Sequence, residues 1–222
     1  MIPAIYQAFA EESAGVAFVC RPGCATCCTR SVNLTTAEGR LLVDFLRQMG
    51  RSLPDLPRDF AVLRPSLTTN GLAASYLAGQ EVEAEVESPW LFEPCFFLRE
   101  GLCSIYEVRP FACRSFASTV NCGKSGMAEA PEWLVTLAIV TNQLLENLDQ
   151  GGWWGNLADI LAFLDEGSDK SSRLAARSRL LPNVPVPGLL VVPDELARVE
   201  GYLARLGKAA GLDCAELIQK YL

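Results

Sequence analysis

The chain contains no histidine. Imidazole is therefore excluded both as a metal ligand and as a general base. Any metal site must be built from sulfur, with carboxylate or water as supplements, and Ser–His or Cys–His nucleophilic catalysis is ruled out. Lysine is scarce, four residues against fifteen arginines, and the net charge is −7. With no Lys/Arg block or basic face, general nucleic-acid binding is not expected. No apolar run reaches the ~18–20 residues of a membrane span, and Met1 to Phe9 lacks the basic region that opens a signal peptide. The expectation is a cytoplasmic protein without a membrane partner, in a reducing compartment where clustered cysteines hold metal rather than disulfides. Also missing are a P-loop, a Gly-x-Gly-x-x-Gly after a strand and a Gly-x-Ser-x-Gly elbow; Gly151-Gly152-Trp153-Trp154-Gly155 reads as a helix start rather than a phosphate loop.

What the chain does have is cysteine. Cys20, Cys24, Cys27 and Cys28 fall within nine residues, and Cys95, Cys103, Cys113 and Cys122 form a second set. Thiolates this close repel one another unless a cation sits between them or they oxidise. Eight sulfurs can saturate two tetrahedral sites, or one cluster and a further site. Pro22-Gly23 predicts a turn, leaving Cys24-x2-Cys27 as a knuckle whose amides can point at sulfur. Adjacent Cys27 and Cys28 do not easily bind one ion, so they are expected to face different metals, or one of them stands outside the coordination sphere as a supporting or redox thiol. The ninth cysteine, Cys214, is expected to be a buried bystander.

Zinc and an iron–sulfur cluster both suit all-sulfur ligation. The knuckle favours structural zinc, while the doubled Cys27-Cys28 and the uneven gaps after Cys95 fit a cluster equally well. Eight thiolates around two Zn2+ leave a net −4, and Arg21, Arg30, Arg109 and Arg114, close to cysteines in sequence, are candidates to offset it. For Arg114 a bland alternative is a salt bridge to Glu107 or local capping.

The rest predicts helices. Thr35 and Glu38 form a capping box ahead of a stripe of Leu41, Leu42, Phe45, Leu46 and Met49, ended by Gly50. The acidic run from Glu81 to Glu87 reads as a solvated face or an edge strand. Residues 94–98 are strand-like, Glu100-Gly101 turns the chain, 103–106 answers, and Pro110 suits the first turn of a helix carrying Cys113 and Arg114, with Cys122 in a loop beyond. Trp133, Leu137, Val140, Leu144 and Leu148 give one later stripe, and Leu157, Ile160, Leu161 and Leu164 another. Residues 166–190 look like a linker, and two short helices follow, the second capped by Asp213. The expected fold is mainly α: an irregular cysteine-rich lobe with a short β-hairpin, residues 15–125, packed on C-terminal helices. The division is a cysteine-cluster region, 1–130, and a helical region, 131–222.

Cys20-x3-Cys24-x2-Cys27-Cys28, Pro94-Cys95-Phe96-Phe97-Leu98 and Gly101-x-Cys103-Ser104-Ile105-Tyr106-Glu107-x-Arg109-Pro110-x-x-Cys113-Arg114-x-Phe116 together resemble the YkgJ-type cysteine-cluster family over about residues 15–125. The first gap is one residue longer than the family's usual Cys-x2-Cys-x2-Cys-Cys. The resemblance implies zinc or iron chelation through about eight cysteines, here Cys20, Cys24, Cys27, Cys28, Cys95, Cys103, Cys113 and Cys122. It implies no settled reaction. A flagellin lysine methylase looks related through its cysteine cluster, which supplies an alternative: an iron–sulfur-dependent enzyme related to protein lysine methylases.

Overall fold

The computed structural model describes residues 1–53, 62, 64–82 and 93–213. Part of the acidic run, Cys214 and the helix expected after Asp213 lie outside them. The chain is mainly helical, as expected, with short antiparallel strands. Among the described residues no helix is long and apolar enough to cross a membrane.

Helix α1, Ile2–Ser13, buries Ile5, Ala8 and Phe9 at helical spacing. Strand β1, Asn33–Thr35, runs into helix α2, Thr36–Gln48, through the expected capping box. The buried face of α2 differs from the predicted stripe: Gly39, Leu42, Val43 and Leu46 point inward while Met49 is exposed. The cause is close packing on a later helix, where a Cβ on Gly39 would meet Ile160 Cγ2. Helix α3, Thr69–Leu77, follows, then a two-stranded hairpin of β2, Leu98–Arg99, and β3, Leu102–Cys103. Glu100 at φ 50° and Gly101 at φ 79° make its turn, both in the left-handed region that this tight connection demands.

A 3-10 turn at Tyr106–Val108 leads to the one-turn helix α4, Phe111–Ser115. Cys122 is not in a loop. It opens a second short helix, α5, Cys122–Ser125, closed by Gly126. Helix α6, Glu132–Leu148, is the long central helix. The Gly151–Gly155 stretch is not a helix start either: after a turn, Trp153–Asn156 forms β4, which pairs antiparallel with β1 and with β5, Leu181–Pro182, before helix α7, Leu157–Leu164, begins at the Asn156 cap.

Nor is 166–190 a linker. It holds helix α8, Lys170–Arg177, capped by Asp169, and β5. Its proline-rich end is tied down by polar side chains of α6 and the turn after it: Glu146 accepts from Val184 N at 2.8 Å, Gln143 accepts from Leu190 N at 2.9 Å and donates to Gly188 O at 2.9 Å, and Asp149 Oδ2 accepts from Asn183 Nδ2 at 3.0 Å. Helix α9, Leu196–Ala210, closes the described chain.

Two main apolar clusters result among the described residues, beside a small one of Val62, Ala158 and Phe96. One joins α1, α6 and α9 through Ile5, Phe9, Phe111, Leu137, Leu144, Tyr202 and Leu203. The other joins α2 and α7 to the hairpin through Leu34, Leu42, Phe97, Ile105, Ile160 and Leu161, and Cys95, Cys103 and Cys113 pack against it.

Candidate metal centre

All eight predicted cysteines line one cavity of about 720 Å³, and all are free thiols. The segments bearing them have little regular structure, so what places each sulfur is a set of local backbone contacts.

The Pro22-Gly23 turn is present: Gly23 has φ 88° and Cys24 N donates to Arg21 O at 2.9 Å. Cys28 N then donates to Ala25 O, closing the knuckle that carries Cys24 and Cys27. Immediately after it the chain changes partner. Cys95 N donates to Cys28 O at 2.8 Å and Arg30 N to Glu93 O at 2.9 Å, around an antiparallel bridge between Thr29 and Pro94. This short ladder brings Cys28 beside Cys95. The hairpin register sets Cys103 opposite Leu98, and α4 supplies Cys113.

At the other end, Val19 N donates to Ser118 O at 2.9 Å and Ser118 N donates to Cys20 Sγ at 3.3 Å. Cys122 follows four residues later, and a Cβ on Gly123 would stand 3.9 Å from Thr26 Oγ1, beside the knuckle. Ser118, almost wholly buried, is a positioning residue that the sequence did not single out; nothing local marks it, because its role is to face a segment 98 residues away.

The electrostatics show which sulfurs crowd each other. The Cys27 thiol is pushed well up, first by the hydrogen bond it makes to Cys28, then by burial and by the Cys28 charge; Cys28 is correspondingly lowered, chiefly by that same bond. The remaining charges that weigh most on Cys28 are Cys103, Cys113 and Cys95. Cys113 is raised to about 12 by burial and then by Cys95 and Cys103, and Cys95 is raised mainly by burial. As placed, no three Cys, Asp or Glu side chains among the described residues converge tightly enough to hold an ion. The thiols are ranged along the cavity wall instead. Such a donor set, all sulfur and partly buried, fits a thiophilic metal: proton loss from each thiol is offset when a cation takes the proton's place.

Arg109 and Arg114 both line the cavity. Arg109 stacks on Tyr106, 3.7 Å from the ring centroid, and its charge favours the thiolates of Cys27 and Cys113. Arg114 makes no carboxylate pair with Glu107. It donates to the backbone carbonyls of Arg109 at 2.9 Å and Glu107 at 2.5 Å and lies over Tyr6, so capping of local structure is the half of the bland alternative that holds. Arg21 also lines the cavity, whereas Arg30 stacks on Phe96 and acts on Cys95 from outside it.

These shifts set a pH dependence of opposite sign for the two forms of the protein. In the metal-free form the folded state favours the neutral Cys113 thiol, so that contribution is whole below pH 9 and should be lost as the pH rises towards about 12. Metal uptake must expel the same protons, so affinity should rise with pH across the neutral range and fall on acidification. Chemical denaturation of the metal-free protein and competitive metal titration, each against pH, would check the two signs.

Residues 19–135, more than half of the chain and inclusive of all eight cysteines, match the model of the CxxCxxCC family, described as a "Putative zinc- or iron-chelating domain". No curated protein and no solved structure matches the chain.

Proposed function

We propose, for a chain that belongs to the CxxCxxCC family, that it is a metal-binding protein chelating zinc or iron through the thiolates of Cys20, Cys24, Cys27, Cys28, Cys95, Cys103, Cys113 and Cys122. The observation that carries the proposal is that chain segments up to about a hundred residues apart deliver all eight sulfurs, and no histidine, to the wall of one cavity. Arg109 and Arg114 would offset part of the thiolate charge from the same wall. The metal, when bound, would supply the positive charge that lets closely spaced thiolates coexist. The proposal assumes a reducing, cytoplasmic setting, where the thiols stay free. It includes no general nucleic-acid partner, given the net charge of −7.

A second reading, an iron–sulfur-dependent enzyme, is favoured by the size of the cavity. About 720 Å³ is the volume of a small-molecule site, more than sulfur-bound metal fills, and its lining also includes Tyr6, Phe9, Phe18 and Met127. Anaerobic purification followed by elemental analysis and a visible spectrum tests both. Zinc without colour supports the first reading; iron with sulfide and a broad charge-transfer band supports the second. A purified, reduced protein containing neither metal, and binding neither when supplied, would overturn the proposal.

A further inference from the structure

The proposed function leaves open how eight sulfurs are shared. Both a zinc site and a cubane cluster take four cysteines, so the question is which four belong together.

The backbone contacts sort them. The Thr29–Pro94 bridge and the Cys95 N to Cys28 O bond put Cys28 on the side of the hairpin, with Cys103 in its second strand and Cys113 in the helix that follows. Cys95, Cys103 and Cys113 all rest on the apolar cluster of Leu34, Leu42 and Ile160, which closes that side to water. The pairing of residues 19–20 with Ser118, and the approach of Gly123 to Thr26, gather a different group. Cys20 and Cys122 are half-buried there, and Cys24 and Cys27 are exposed. The seam runs between Cys27 and Cys28. The Cys27 thiol meets that of Cys28 across it, but the two backbones are held differently, Cys28 by Cys95 and Cys27 within the knuckle, so each residue can turn its sulfur to the site on its own side.

We infer that the cysteines form two four-sulfur sites, an inner one of Cys28, Cys95, Cys103 and Cys113 and an outer one of Cys20, Cys24, Cys27 and Cys122, and that the outer site exchanges its metal while the inner one retains it. The difference in exchange follows from access. A competing chelator reaches a metal by displacing one sulfur at a time, and two of the outer four residues, Cys24 and Cys27, are exposed. The inner four are half-buried, three of them backed by core side chains whose packing must loosen first.

This inference rests on the eight-cysteine reading, and one experiment separates their fates. The full-length protein and two double variants, Cys20→Ser with Cys122→Ser and Cys95→Ser with Cys103→Ser, are loaded with Zn2+, or with Co2+ to give a thiolate charge-transfer band. Metal per chain is measured, and release to a chromogenic chelator is followed. The unmodified protein should release metal in two phases of equal amplitude, the fast one about 10-fold faster or more. The outer double variant should hold half the metal and keep only the slow phase. The inner double variant should lose the slow phase; should it fail to fold, the unmodified protein and the outer variant still decide the matter. Single-phase release, or loss of all metal from the outer variant, would mean one shared centre and overturn the partition while leaving the proposed function standing. Unchanged metal content in both variants would overturn both.

Discussion

Removing the metal from reduced protein should open residues 19–31 and 98–126 to protease first, while much of the helical circular dichroism survives. These segments have almost no local reason to fold. Their regular structure amounts to two-residue strands, one-turn helices and a 3-10 turn, and the knuckle from Arg21 to Cys28 is held by a few backbone bonds. Ordering a residue costs about 1–2 kcal/mol, which such bonds do not repay, whereas structural zinc contributes about 10–16 kcal/mol of binding free energy at neutral pH. Helices α1, α6 and α9 differ: their contacts through Ile5, Phe9, Leu137, Leu144, Leu203 and Leu206 involve no cysteine. Limited proteolysis with mass mapping, alongside far-ultraviolet dichroism before and after chelation, reads both halves of the expectation. Metal-free protein that stays resistant from Cys20 to Cys122 would mean that the cysteines are not structural ligands.

What the sequence disclosed and what it hid divide along one physical line. Signals written within a few residues were readable: the Thr35–Glu38 capping box, the Glu100-Gly101 turn, the Pro22-Gly23 knuckle, and the eight cysteines that now share a cavity. Signals that depend on a distant partner were not. Prolines between Pro182 and Gly188 suggested a linker because they cannot continue a helix; the chain there is held by Glu146, Gln143 and Asp149, whose polar character in and just after α6 gave no hint that they face inward. The face of α2 was misphased because Gly39 counts for nothing in a hydrophobic pattern, although its missing side chain is what admits Ile160. Ser118, which donates to Cys20, was invisible for the same reason.

Replacing Glu38 with glutamine should destabilise the protein by about 3 kcal/mol or more, far beyond the ~1 kcal/mol expected for losing a helix cap alone. The capping box explains only half of this carboxylate. Glu38 Oε2 accepts from Thr35 N at 3.0 Å while Thr35 Oγ1 accepts from Glu38 N at 3.2 Å, the box itself, and Thr35 Oγ1 also donates to Glu38 Oε2 at 3.1 Å. Glu38 Oε1 reaches out of the helix, accepting from Tyr6 Oη at 2.7 Å and from Phe111 N at 2.9 Å. One buried side chain thus ties α1, α2 and the first residue of α4, the helix that bears Cys113. Burial and the neighbouring Glu38 both keep the Tyr6 hydroxyl protonated, so it remains a donor to that side chain. Glutamine keeps a single acceptor oxygen and turns an amide N–H toward groups that are themselves donors, leaving at least one buried donor unpaired. Tyr6→Phe removes one bond and should cost less, about 1.5–3 kcal/mol for a hydrogen bond to a charge. Denaturant unfolding of the metal-loaded proteins would rank the variants. Because Glu38 fixes the start of α4 and touches no sulfur, Glu38→Gln should also lower metal affinity without changing the number of metals bound at saturation. A stability within ~1 kcal/mol of the unmodified protein would mean that Phe111 N and Tyr6 do not depend on this carboxylate, and that α4 is anchored by the packing of Phe111 alone.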